Sequence, residues 1–596
     1  MIDSPLMVLK KISDIIKSAS EAILNNDQLV LAVLALAVGI ISGGAVIGFR
    51  EGVSFFQNAF FGTADERLYL HLATLKWWQI IWPPVVGGLI VGVLVRLGMP
   101  ENRPQGVADV IEANALKGGR MSLSDGLRAA IINAVSIGSG ASVGREGPAV
   151  HLGAALAANI AKRFNLNRSI SRTLLGCGVA AAVAGSFNAP IAGALFANEV
   201  VIGHYALKAF APVVIASVAG TAISRAYYGD FPAFAVPSHA ITTYLEFPAF
   251  ILLGVIAGLV ASALVRAIAK SQDFSENLNL PRWLHPMIGG LVVGVMAIWL
   301  PQIIGVGYGA TEQALMGNFT LVLLVAILVG KIIATAISLG FGFGGGIFSP
   351  ALVIGAMLGG AYGIIATSIF PQIGNDTSAY SLIGMGAVAA ATLGAPISTA
   401  LIIFEMTGDY QLTLGVMLAV VVSTGVFRHL HGRTFFTAQL ERRGLDLKGG
   451  FESGLLRAGR VQNVMQTDVE IVSPGITLSG LRHRLQYSLS GELFVVNDDG
   501  VLLGTITLAD LSESAFDPEL DHLINASDVA RANPPILKIT DDLEKALKVI
   551  NDSGESLIAV IRDDESKKLE GVVDERHVIA AYNRALLDSR HEERDV

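Results

Sequence analysis

The chain carries one pattern twice. Pro148-Ala149, Gly153-Ala154 and Leu156 recur at the same spacing as Pro350-Ala351, Gly355-Ala356 and Leu358, 202 positions on. Ala189-Pro190-Ile191, Ala194-Leu195 and Glu199 recur as Ala395-Pro396-Ile397, Ala400-Leu401 and Glu405, 206 positions on. Two matches in one order at nearly one offset divide residues 28–430 into homologous halves, 30–225 and 245–430. A chain built this way folds as two similar units packed on each other.

Both halves are apolar. Only 15% of the chain is charged, mean hydropathy is +0.58, and a soluble protein carries about a quarter charged residues. Leu29–Phe49, Phe247–Val265 and Tyr410–Phe427 approach the ~20 residues that span a bilayer. Ile80–Val95, Ala129–Val143, Gly147–Ala161 and Thr173–Asn198 are short or interrupted, and Ile332–Asn375 contains GFGFGGGIFSP, which no continuous helix tolerates. Trp77, Trp78 and Trp82 fit an interfacial belt. The expectation is an all-α, multi-pass integral membrane protein with broken helices. Residues 1–27 place Met7, Leu9, Ile12, Ile15, Ile16, Ala19 and Ile23 at helical spacing among Lys10, Lys11 and Lys17, predicting an amphipathic helix on the bilayer surface.

Several classes fall away. A net charge of −8 offers no basic face for nucleic acid. Cys177 stands alone, so neither a disulfide framework nor a multi-cysteine metal cage is expected. His591-Glu592 has no second histidine for a metalloprotease, and Gly330-Lys331 runs into Ile332, which is no P-loop. No metal site and no enzyme activity are expected. A cation transporter would need a cluster of intramembrane carboxylates, and the apolar stretches hold none.

The repeat-related breaks are Gly144-Arg145-Glu146-Gly147-Pro148 and Gly344-Gly345-Gly346-Ile347-Phe348-Ser349-Pro350. Each proline is expected at the first position of a helix, where its missing N–H costs nothing. Two helix N-termini meeting inside a membrane favour an anion, through orphan N–H donors and aligned dipoles. Glu146 falls at that spot. Ionised, it blocks an anion path as a tethered competitor; protonated, it swings away, which makes a proton-linked gate. The competing reading is a helix-capping acid or a partner for Arg145.

GREGP at 144–148, GGIFSP at 345–350, FNAPIAGALFANE at 187–199 and FEMTGDYQL at 404–412 together resemble the CLC chloride channels and chloride/proton antiporters, over about Leu29 to Phe436. The resemblance implies two antiparallel, inverted halves and a homodimer in which each subunit has its own pore for chloride or a similar small anion. It assigns the gate to Glu146 and the anion site to Gly144, Arg145, Glu146 and Gly147 with the backbone amides of Ile347 and Phe348. Three positions depart from the family pattern. Gln105, or Pro104 on a one-residue slip, replaces the pore serine, and Phe436 replaces the pore tyrosine. Loss of both hydroxyls predicts weaker central binding and altered anion selectivity. Val200 replaces the acid on the internal proton path of many antiporters, which points to channel-like or weakly coupled transport, with the antiporter as the alternative. Glu199 is expected to be a solvated or paired acid at a helix end, and His151 a packed residue.

Composition changes after a linker at 431–458. Strand-like runs such as Glu492–Val496 and Leu557–Ile561 alternate with amphipathic helices. Leu503-Gly504-Thr505-Ile506 and Glu570-Gly571-Val572-Val573 lie 67 positions apart, each before a helix. The tail resembles a pair of CBS domains, expected at 459–515 and 525–588 before a charged end at 589–596. The resemblance places the N-terminus and tail in the cytoplasm. It makes Thr507 and Asp510 candidates for holding the phosphate and ribose of an adenine nucleotide, the only cofactor expected. The second copy has Asp574 and His577 there, and Asp574 would repel phosphate. A structural pair without nucleotide is the equal alternative.

Overall fold

A computed structural model describes residues 27–203, 207–230, 234, 246–370, 377–445, 456, 459–488, 490–507, 509–511 and 521–591. The helix expected over 1–27 and the charged end at 589–596 fall outside these, save residue 27 and residues 589–591. The chain forms two compact units, Met1–Asp446 and Leu447–Val596.

In the first unit the order is α1 (Asp27–Phe61), α2 (Leu68–Leu72), α3 (Trp77–Gly98), α4 (Val107–Leu116), α5 (Leu123–Gly138), α6 (Glu146–Arg163), α7 (Arg168–Phe187), α8 (Pro190–Phe196), which runs on as a π-helical turn Ala197–Ile202, and α9 (Leu207–Tyr228). The second half answers with α10 (Phe247–Glu276), α11 (His285–Trp299), α12 (Tyr308–Leu315), α13 (Leu321–Gly340), α14 (Phe348–Ile369), α15 (Thr377–Leu393), α16 (Pro396–Thr407) and α17 (Tyr410–His431). Short α2 aside, the halves match helix for helix: α1 with α10, α3 with α11, and so on to α9 with α17. Packing repeats as well, since α7 lies against α6, α9 and α1 as α15 lies against α14, α17 and α10. The halves meet where α3 packs on α11 and α8 on α16. Among the described residues, nine helices are long and apolar enough to cross a membrane. Others, such as α4 with 10 residues and α12 with 8, are too short to cross alone.

Glycine serves the repeated packing. A Cβ on Gly178 of α7 would strike the Gly153 carbonyl of α6, and one on Gly384 of α15 would strike that of Gly355 on α14. Small residues let membrane helices approach to backbone contact. The stretch Thr173–Asn198 is broken where Asn188 turns left-handed, φ 59°, just before Pro190; Gly394, φ 72°, does the same before Pro396.

Glu199 and Glu405 are exchanged caps. The Glu199 carboxylate accepts from the N–H groups of Ile397 (3.0 Å) and Ser398 (2.9 Å) and from the Ser398 hydroxyl, at the start of α16. Glu405 accepts from Ile191 (2.9 Å) and Ala192 (2.8 Å) at the start of α8. Each half therefore satisfies the orphan donors of the other, and Glu199 is paired with backbone rather than with a cation.

The expected linker at 431–458 begins with a further helix, α18 (Phe435–Arg442), whose Phe435, Phe436 and Leu440 are buried in the first unit. Thr434 caps it, accepting from the Thr437 N–H, and the apolar run Phe435-Phe436 leaves solvent.

The second unit has β1 (Ile471–Val472), α19 (Leu478–Tyr487), β2 (Glu492–Val496), β3 (Leu502–Thr507), α20 (Ala526–Val529), β4 (Arg531–Ala532), β5 (Ile536–Lys538), α21 (Leu543–Ser553), β6 (Leu557–Ile561), β7 (Leu569–Asp574) and α22 (Glu575–His591). Its sheets run β1-β2-β3-β4 and β5-β6-β7. Each has a parallel pair followed by an antiparallel one, and Gly504 faces Val495 as Gly571 faces Val560. The modules expected at 459–515 and 525–588 share segments at their leading edges. Val461, Val464 and Met465 pack in the core of the second module, and Gln466 pairs with Val572. Ile524, Ala526 and Val529 pack in the core of the first, and β4 adds to its sheet. The modules exchange their leading segments, because each core lacks the apolar side chains that the other module's lead-in supplies.

Beside β4 the tail gathers three acids around one base. Arg531 pairs with Glu555 (2.8 Å) and Asp510 (3.1 Å), while Glu492, buried on β2, is 3.9 Å away. Burial, then the Glu555 charge, push the Glu492 carboxyl up to about 7, against the pull of Arg531. The folded tail thus holds a proton that the unfolded chain releases near pH ~4.3. Stability is highest below that value and falls as pH rises through about 7.

Two expectations follow. Glu199→Ala and Glu405→Ala should each cost about 1 kcal/mol, and Glu199→Gln, which keeps an acceptor, less; thermal unfolding in detergent measures this. Urea unfolding of residues 447–596 should give a lower midpoint at pH 8 than at pH 5, and Glu492→Gln should flatten that slope.

Candidate functional site

The two breaks are tied directly together. Gly144 N–H donates to the Gly346 carbonyl (2.6 Å) and Gly346 N–H to the Gly144 carbonyl (2.7 Å), a two-bond antiparallel bridge between the repeats. Gly345 makes this close approach possible: at φ 154° its missing Cβ would strike the Val143 side chain. A Cβ on Gly346 would stand 3.0 Å from the Gly147 nitrogen. The bridge brings the starts of α6 and α14 together, where first-turn N–H groups lack i→i−4 partners. Pro148 and Pro350 are at the third helical position rather than the first. The earliest i→i−4 bonds are Ala149 to Arg145 and Ala351 to Ile347, so a proline anywhere before them removes no bond.

Glu146 opens α6 and is 1% exposed. One carboxylate oxygen accepts from the Tyr308 hydroxyl at 2.7 Å; the other accepts from the Ser349 hydroxyl. Arg145 is not its partner. That guanidinium bonds Glu66 at 2.7 Å and stacks 4.4 Å over the Tyr308 ring, and Glu66 also takes Arg50 at 2.7 Å. Burial opposes ionisation of Glu66, but the two arginines hold its carboxyl well below the usual range.

Two cavities adjoin the residues on either side of Glu146 in the chain, Gly147 and Arg145. A large one, about 1100 Å³, is lined by Gln105, Gly147, Ile347 and Phe436, among others. A small one of about 40 Å³ is lined by Arg145, Tyr308, Glu66 and Arg50. Four of the sequence-predicted residues thus share one cavity, while Arg145 faces the other. Phe348 is turned inward, its ring stacked on Phe187 (4.9 Å) and Phe196 (5.9 Å), which leaves only its backbone toward the site. Gly144 serves in the bridge.

The segments that carry Gln105 and Phe436 are tied to α4 by a group that sequence reading gave no role. Asp109 accepts from Gly106 N–H (2.7 Å) and pairs with Arg103 (2.7 Å) and Arg443 (2.9 Å). It pins the 103–106 loop and the end of α18 to α4. Asp109 stands four residues after Gln105, in Pro104-Gln105-Gly106-Val107-Ala108-Asp109; Arg443, 334 positions away, carries no local signal. Val200 lies in the π-helical turn after Glu199. His151 is 1% exposed, and neither ring nitrogen is hydrogen-bonded among the described residues. Among the described residues no cluster of acids, histidines and cysteine fits a metal.

In the tail, Thr507 gives both its N–H and its hydroxyl to Asp510, at 2.7 Å each, and Arg531 adds a third donor. In the second copy Asp574 is engaged by Arg576 through backbone and side chain, and Gln466 contacts His577. Both candidate nucleotide positions therefore have internal partners.

Comparison with known proteins agrees with this architecture. Residues 87–428 match the family model described as voltage gated chloride channel, and residues 461–517 and 526–584 each match the CBS domain model. A putative chloride channel protein ClcB-like from Ralstonia nicotianae is 34% identical over 66% of this chain and 92% of its own. The chloride channel protein CLC-f of Arabidopsis thaliana is 30% identical over 81% of this chain and 69% of its own. Among solved structures, a slow cyanobacterial Cl−/H+ antiporter superposes with a TM-score of 0.64 over 69% of this chain and 97% of that one, at 23% identity. A eukaryotic CLC transporter covers 92% of this chain and 97% of its own at a TM-score of 0.61 and 16% identity. The repeat, the bridged helix breaks and these matches lead to one conclusion: this chain belongs to the CLC family of anion channels and transporters and carries a C-terminal pair of CBS domains.

Proposed function

We propose that the chain moves chloride or a similar small anion between the two cavities, past Glu146, in a channel-like or weakly proton-coupled manner. The observation that carries this reading is the Gly144–Gly346 bridge, which aims two helix N-termini at the place where the Glu146 carboxylate lies. A carboxylate held there stands in for the anion: it needs the same donors and excludes a second negative charge. Protonation removes that equivalence and frees the path.

The central site is short of side-chain donors. Gln105 can offer an amide N–H and Phe436 can offer nothing, so an anion in the large cavity relies on backbone N–H groups near Ile347. Val200 leaves the internal proton route without an acid, which supports the channel-like reading. Proton-coupled exchange is the second reading. It draws on His151, five residues after Glu146 on α6, whose buried imidazole has no hydrogen-bond partner among the described residues.

Assembly as a homodimer, with the tail on the cytoplasmic side, extends the same reading. Ile191 on α8 and Ile397 on α16 are half exposed at repeat-related positions, which supports a symmetric apolar contact. An adenine nucleotide in the tail would have to break the Thr507–Asp510 bonds, and binding should weaken in Asp510→Ala.

Liposome reconstitution with simultaneous chloride and proton recording tests the central reading. Glu146→Gln should pass chloride faster than wild type and lose its dependence on external pH; uphill proton movement driven by a chloride gradient in wild type would select the exchanger. Phe436→Tyr should tighten chloride binding about tenfold, the effect of one hydrogen bond of ~1.4 kcal/mol, and raise preference for chloride over nitrate. Unchanged selectivity would remove the role given to the missing hydroxyl.

A further inference from the structure

A buried carboxylate must be satisfied by donors, and the donors that hold Glu146 come from the second half of the chain. Tyr308 is the first residue of α12, 5% exposed, and reaches Glu146 at 2.7 Å. Ser349, on the first turn of α14, is fully buried and takes the other oxygen. Neither hydroxyl serves any other partner in the site. Tyr308 is itself held from three sides: Arg145 stacks on its ring, Phe234 packs against it at 4.5 Å, and the loop leading into it is fastened by Lys331. The fully buried Lys331 ammonium donates to the Ile303 carbonyl (2.9 Å) and the Gly305 carbonyl (2.8 Å), five and three residues before Tyr308. The hydroxyls are therefore set in place before the carboxylate arrives.

We propose that Tyr308 and Ser349 are positioning residues that latch the Glu146 carboxylate in the blocking position, one hydroxyl to each oxygen. The proposal rests on reading Glu146 as the gate. Both donors favour the ionised carboxylate over its protonated form, since an ionised acceptor makes the stronger hydrogen bond. The latch thus sets how acidic the solution must become before the gate lets go. The charged groups around it are Arg145, the Glu66 and Arg50 behind Arg145, and Lys331 beyond Gly307; all keep their partners when either hydroxyl is removed. Tyr308→Phe in particular leaves the ring on which Arg145 stacks.

The test is chloride efflux from liposomes holding the full chain, across external pH, for wild type, Tyr308→Phe, Ser349→Ala, Glu146→Gln and the Tyr308→Phe/Glu146→Gln pair. Each single hydroxyl deletion should move the activation midpoint to higher pH by about one unit, a tenfold change in the gate equilibrium. In the Glu146→Gln background, Tyr308→Phe should change nothing. If Tyr308→Phe does not assemble, Ser349→Ala carries the same expectation. Wild-type midpoints in both hydroxyl variants, beside a pH-independent and faster Glu146→Gln, would overturn the latch and leave the gate standing. Glu146→Gln indistinguishable from wild type would overturn the gate and the latch with it.

Discussion

Two hydrogen bonds between Gly144 and Gly346 join the halves of this protein at the point where both halves stop being helical. In a medium without water, non-helical backbone survives only where its polar groups find protein partners or line a cavity. Here the two breaks satisfy each other, and the first turns of α6 and α14, with their N–H groups left over, begin beside the bridge. The anion site proposed above rests on that arrangement. Glycine is required because only bare backbone comes so close, and proline is tolerated because those first turns have no bonds to lose.

The same principle of mutual satisfaction recurs at two other levels. Glu199 and Glu405 each cap a helix of the opposite half, so the two-fold relation between repeats is written in hydrogen bonds as well as in packing. In the tail, the two modules exchange leading segments to complete each other's cores. Around Glu146 the arrangement is asymmetric, and function enters there. At the offset of 202 the second half has Phe348 where the first has Glu146 and Ser349 where it has Gly147, and the Tyr308 hydroxyl reaches the carboxylate from α12.

Much of this was legible in the sequence, and the limits have a physical cause. Repetition of Pro148, Pro190 and Glu199 as Pro350, Pro396 and Glu405 announced the two halves, and glycine beside proline marked the breaks. Glu146 stood out as an acid in an apolar stretch. Pairings between distant positions did not show. Nothing local tells that Arg145 turns to Glu66 instead of to its neighbour Glu146, that Asp109 gathers Arg103 and Arg443, or that Glu199 reaches across 198 positions to Ile397. Tyr308 carried no signal because a tyrosine at the start of a short helix is ordinary until the carboxylate opposite it is seen. Phe435-Phe436 read as linker because the run is too short to announce a helix; only the pocket that receives it gives it a place.

The most direct test of the account is to look for the anion itself where the carboxylate now lies. Bromide can be located by its anomalous scattering in crystals of the wild type and of Glu146→Gln. The account predicts a bromide between the first turns of α6 and α14 in Glu146→Gln, near Ser349 and Tyr308, and none at that spot in the wild type. An empty site in Glu146→Gln at saturating bromide, with the Gly144–Gly346 bridge intact, would contradict it.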